Sequence, residues 1–78
     1  MSAHTDERTR RMYELVREVR HDLNSPLAAA LGNVQMLLED PAVTDGDVRE
    51  SLQDVESDLR RLAELIRRLA EIRPPDEG

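Results

Sequence analysis

Apolar residues recur along the first half of the chain at Met12, Val16, Val19, Leu23, Leu27, Ala30, Val34 and Leu37. Successive steps are three or four residues, the spacing that puts them on one face of an α-helix. Leu15, Leu31 and Leu38 widen the stripe. Its phase holds across Pro26, so the pattern predicts one bent helix over about residues 6–39, about 50 Å long at 1.5 Å per residue. Thr5 or Asp6 can cap it, and Asp6 and Glu7 suit the first turn, where acids are favoured.

The periodicity stops at Glu39-Asp40-Pro41, because a residue before proline is steered away from helical geometry. Thr44-Asp45-Gly46-Asp47 then offers a capping box, with the Thr44 hydroxyl as cap and an acid three residues on. Beyond it Val48, Leu52, Val55, Leu59, Leu62, Ile66 and Leu69 alternate steps of four and three, with Leu65 and Ile72 beside the seam. This strict 3.5-residue phase predicts a second helix over about residues 45–72, packed as in a left-handed bundle. Glu56 with Arg60 and Glu64 with Arg68 are spaced as i,i+4 pairs. Arg67, Arg68 and Arg73 complement the helix end, and Pro74-Pro75 stops it.

A linker this short forces the helices antiparallel. The expected organisation is an all-α helical hairpin over 6–73, between disordered tails at 1–5 and 74–78. Two amphipathic helices cannot enclose a core, because each covers only one side of the other. Pairing two hairpins into a homodimeric four-helix bundle would bury both stripes, and two-fold dimers are the commonest assemblies. The length of 78 residues points the same way, since a single chain of this size buries little apolar surface.

Composition narrows the chemistry. Cysteine is absent, which excludes a disulfide framework and thiolate metal sites. Two histidines without metal-ligand spacing leave no zinc motif, so no resident metal or cofactor is expected. The 17 acids outnumber 11 arginines for a net charge of −6, and Tyr13 is the only aromatic. Nucleic-acid binding is disfavoured on both counts. No apolar run is long enough for a membrane span and no signal peptide opens the chain, so a soluble cytoplasmic protein with protein partners is the simplest reading.

The reactive candidates lie in Arg20-His21-Asp22-Leu23-Asn24-Ser25-Pro26-Leu27. His21 is two positions from both Val19 and Leu23, about 200° around the helix axis, and therefore faces away from the seam. Ser25, Glu18 and Glu14 share its side, and Ala28, Ala29 and Gly32 continue it as a smooth strip. A partner helix can approach that strip, although close packing within a dimer would also use small residues. Pro26 has no N–H, so the Asp22 carbonyl loses its helical donor beside the histidine. Asp22 can orient the imidazole through one ring nitrogen and leave the other free as a nucleophile. Without this surrounding pattern, His21 would read as an ordinary surface histidine.

His-Asp-Leu-Asn-Ser-Pro-Leu at 21–27, with the following AAALGNVQMLLE, resembles the H-box of the dimerisation and histidine-phosphotransfer domain of bacterial sensor histidine kinases. The second helix, with Leu59-Arg60-Arg61-Leu62 and Ile66, is similar to the second helix of that domain. Together they span roughly residues 10–72. The resemblance implies that His21 is the phosphoacceptor and Asp22 the acid/base. It makes Asn24 and Ser25 candidates for positioning water or the phosphoryl group, and Pro26, Ala28, Ala29 and Gly32 candidates for partner contact. It also implies a homodimer, a response-regulator receiver domain as partner, and Mg²⁺ supplied by that partner.

Sensor kinases of this kind carry an ATP-binding domain after the second helix. These 78 residues contain three glycines and no phosphate-cradling loop. The expected function is therefore phosphotransfer to or from a receiver aspartate, or phosphorylation by an ATP-binding kinase domain in trans. The resemblance thus leads us to expect a phosphotransfer intermediate and not an autonomous kinase. Two alternatives stand beside it: a non-catalytic dimerisation or scaffold module, and an excised fragment of a full sensor kinase.

Overall fold

The computed structural model describes residues 6–75. The expected tail at 1–5 and residues 76–78 lie outside them. Helix α1 runs Glu7–Glu39 and helix α2 runs Gly46–Arg68, followed by a 3₁₀ turn, η1, at Leu69–Glu71. α1 and α2 pack as an antiparallel hairpin, with η1 returning against α1.

Local chemistry accounts for each boundary. Asp6 caps α1, its carboxylate accepting from the Thr9 N–H at 2.9 Å. That backbone hydrogen bond holds the Asp6 carboxyl below its ordinary value. α1 ends where Asp40, ahead of Pro41, turns extended at φ −75° and ψ 119°. The Asp40 carboxylate then accepts from the Ala42 N–H at 2.9 Å, an Asx turn that reverses the chain.

The second cap differs from the expected one. Asp45, not Thr44, starts α2, accepting from the N–H groups of Asp47 and Val48 at 2.8 and 3.1 Å. Aspartate caps better than threonine and here satisfies two of the orphan donors with one oxygen. Arg49, one turn into α2, reaches back across the connection. Its guanidinium donates to the carbonyls of Val43 and Leu38, each at 3.0 Å. Leu38 is among the last four α1 residues, whose carbonyls have no partner within the helix. Arg49 therefore ties the end of α1 to the start of α2.

At the other end, Arg67 and Arg68 occupy the last turn of α2 as expected, and the chain tightens into η1 before Pro74. Glu56 pairs with Arg60 at 3.2 Å, as the spacing requires. Glu64 pairs with Arg67 at 3.0 Å instead of with Arg68. Positions three and four apart are both neighbours on a helix, so either arginine can reach it.

Packing divides the apolar stripes. Leu27, Val34 and Ile66 are the buried hydrophobic residues, at 8%, 9% and 4% exposure. On α2 the covered residues include Leu52, Leu59 and Ile66, one heptad apart, whereas Val48, Val55 and Leu62 form a second heptad row left open. Leu65 and Ile72 join the open row. On α1 the covered side runs through Tyr13, Val16, Arg20, Leu27, Val34 and Leu38, while Met12, Leu15, Val19, Leu23 and Leu37 stay exposed. The hairpin measures 64 × 19 × 15 Å with a radius of gyration of 18.5 Å. A compact chain of this length would have a radius of roughly 12 Å. The hairpin is a rod with one wet apolar side.

Candidate phosphoacceptor site

His21 projects from the middle third of α1 and is exposed, as are Asp22, Asn24, Ser25 and Pro26. The reason is the helical phase: Arg20 and Leu27 take the side facing α2, and His21 falls about 100° beyond Arg20. His21 and Asp22 line a shallow depression of about 330 Å³ together with Glu14, Arg17 and Glu18. Glu14, Arg17 and Glu18 lie seven, four and three residues before His21, the spacings that align residues along one helix face.

α1 continues unbroken through Pro26. Proline contributes no N–H, so the Asp22 carbonyl has no helical donor one turn earlier, directly beside the histidine. Because this face is exposed, water can satisfy that carbonyl. The orienting bond from Asp22 to the imidazole is a different matter. Neither His21 nor Asp22 has a hydrogen-bonded partner among the described residues. Adjacent positions on a helix diverge by about 100°, which keeps this carboxylate off its neighbour's ring nitrogen. Asp22 therefore does not hold the imidazole ring in place.

Beyond the proline, Ala28 and Ala29 are exposed and Gly32 is half-buried. A Cβ added at Gly32 would meet nothing within 4 Å. Packing inside the hairpin therefore does not require the small side chain there. The strip starts about two turns beyond His21, and Ala28 and Ala29 leave it open to an approaching surface.

Arg17 is the one member of the His21 depression that the sequence pattern did not single out. Its signal was available, since it sits four residues before His21 on the same side. Among the described residues no group of three or more His, Cys, Asp or Glu side chains is arranged to hold a metal ion. Likewise, no described helix is long and apolar enough to cross a membrane.

An exposed histidine on the first helix of an antiparallel hairpin, followed by Asp-Leu-Asn-Ser-Pro-Leu, defines a class of phosphoacceptor domain. The family model described as the His Kinase A (phospho-acceptor) domain matches residues 11–78, and the chain belongs to that family. No curated protein and no solved structure matches the chain.

Proposed function

We propose that this hairpin is a histidine phosphotransfer element of two-component signalling, with His21 taking a phosphoryl group from, or giving it to, a response-regulator aspartate. The observation that carries the reading is the outward placement of His21 within His-Asp-Leu-Asn-Ser-Pro-Leu, in a chain belonging to the phospho-acceptor family. An unprotonated imidazole nitrogen attacks the phosphorus of the receiver's aspartyl phosphate. The P–N bond forms as the P–O bond to the aspartate breaks, the carboxylate leaves, and the proton on the other ring nitrogen passes to a base. We assign that base to Asp22, which lines the same depression as His21.

Little covalent assistance is needed, because phosphoryl transfer depends mainly on positioning and charge neutralisation. Mg²⁺ held by the receiver would supply the neutralisation. Asn24 and Ser25 take the polar contacts to the phosphoryl group or to water. Pro26, Ala28, Ala29 and Gly32 provide the surface on which the receiver, or the ATP-binding domain of a kinase acting in trans, sits. The exposed apolar rows on both helices are covered by a second copy, giving the two-fold four-helix bundle.

The test is incubation with phosphorylated receiver proteins, followed by assay for an acid-labile, base-stable phosphoryl group on the hairpin. Wild type should acquire it, and His21→Ala should abolish it with helicity unchanged. No labelling by any receiver or kinase domain would leave a scaffold module as the reading.

A further inference from the structure

Residues 23–38 of α1 carry no charge, over about 24 Å of helix at 1.5 Å per residue. Asp22 bounds this run at the His21 end, and Glu39 and Asp40 bound it at the other. Within it, Ser25, Ala29, Gly32 and Met36 follow His21 at steps of four, four, three and four, the spacing of one helix face. Met36 is the one large side chain in that series and, at 70%, the most exposed of the exposed large hydrophobic residues. It lies nine positions beyond buried Leu27, half a turn around the axis, and therefore points away from α2. Leu37, on the open row that a second copy would cover, is about 100° away. A depression of about 290 Å³ lies beside Met36, lined also by Asn33, Leu37 and Asp40. The His21 face thus has a hollow at each end, about 22 Å apart, with a smooth strip between. Charge at the Met36 end is one-sided. From Asp22 to Asp58 the chain has nine acids and one cation, Arg49, whose guanidinium is bound to two backbone carbonyls. Glu39, one turn beyond Met36, is exposed and has no ionic partner among the described residues.

We propose that Met36 is a specificity-determining anchor for the receiver. The hollow beside it takes an apolar side chain of the receiver's docking face, and a lysine or arginine next to that side chain pairs with Glu39. This rests on the phosphotransfer reading and adds the chemistry of the partner to it. The span fits one domain: a compact partner of about 100 residues has a radius of gyration of about 13 Å, so a single face reaches both hollows. Methionine suits such a contact, because its flexible thioether adapts to an irregular apolar surface. The carboxylates make the contact selective. A receiver with a basic face is attracted to this end of the hairpin, and one with an acidic face is repelled.

The test compares two phosphoryl donors on the whole chain: phosphorylated receiver domains, and phosphoramidate, which is too small to touch Met36 from His21. With phosphoramidate the imidazole nitrogen attacks phosphorus, the P–N bond to ammonia breaks, ammonia leaves and the ring proton passes to water. Met36→Ala should lower receiver transfer about tenfold relative to phosphoramidate labelling, through KM and not kcat, the effect of truncating an interface anchor. Met36→Leu should restore most of the loss, and circular dichroism should show both variants helical. Glu39→Lys should raise KM for the receiver at low salt, with the difference shrinking as salt screens the charges. Receiver transfer to Met36→Ala at the wild-type KM would overturn this proposal alone. Equal slowing with both donors would place the effect in the helix around His21 and overturn the anchor. A lower KM for Glu39→Lys would overturn the basic partner face. Phosphoramidate labelling of wild type without transfer from any receiver would overturn the phosphotransfer reading and this proposal together.

Discussion

Two side chains at the connection between the helices decide how the hairpin closes, and each makes a measurable difference. Asp45 carries both capping hydrogen bonds of α2. Asp45→Ala should destabilise the protein by about 1 kcal/mol in urea unfolding, whereas Thr44→Ala should cost much less. Equal effects would restore Thr44 as the cap. Arg49 binds the Val43 and Leu38 carbonyls. Arg49→Ala should cost about 1–2 kcal/mol, because hydrogen bonds to a charged group are lost together. Arg49→Lys should recover only part of it, since a single ammonium lacks the guanidinium's fixed fork. The Thr44-Asp45-Gly46-Asp47 pattern announced a cap but left two candidate oxygens one residue apart. Arg49 gave no local signal, because its partners lie 6 and 11 residues earlier in the chain.

At the scale of the elements, Pro26 is the feature that sets α1 apart from an ordinary amphipathic helix. It lies in the helix interior and is exposed, so no packing requires it. Pro26→Ala should stabilise the fold by up to about 3 kcal/mol, the interior penalty of proline, while altering the turn beside His21. A neutral or destabilising result would show that the surrounding helix has adapted fully to the proline. The helices themselves were legible in the apolar spacing: Leu27, Val34 and Ile66 all belong to the predicted stripes. What the spacing could not separate was which neighbour each row serves. Leu52 and Val55 both belong to the same 4-3 seam, yet the first faces α1 and the second is open. Periodicity records that a residue is apolar on one side; the angle at which the partner helix sits decides which edge of that side it covers. The outward face of His21 was legible for the simpler reason that it lies about 200° from both Val19 and Leu23.

For the whole molecule, the uncovered rows are the controlling fact. Met12, Leu15 and Val19 on α1 lie toward the same end of the hairpin as Leu62, Leu65 and Ile72 on α2, all more than 40% exposed. Large contiguous apolar surface of this kind marks an interaction face. Light scattering at micromolar concentration should give the mass of two chains, and Leu62→Asp with Leu65→Asp should shift it toward one chain. A wild-type monomer with full helicity would contradict the bundle. Such a dimer would cover the apolar side while leaving His21 in solvent. The central claim is that this outward imidazole carries the phosphoryl group, and mapping the modified residue tests it most directly. After transfer from a phosphorylated receiver, ³¹P NMR and tandem mass spectrometry at neutral to basic pH should find one phosphoramidate, located on His21. A phosphoryl group on His4, Ser25 or a carboxylate, with His21 unmodified, would contradict it.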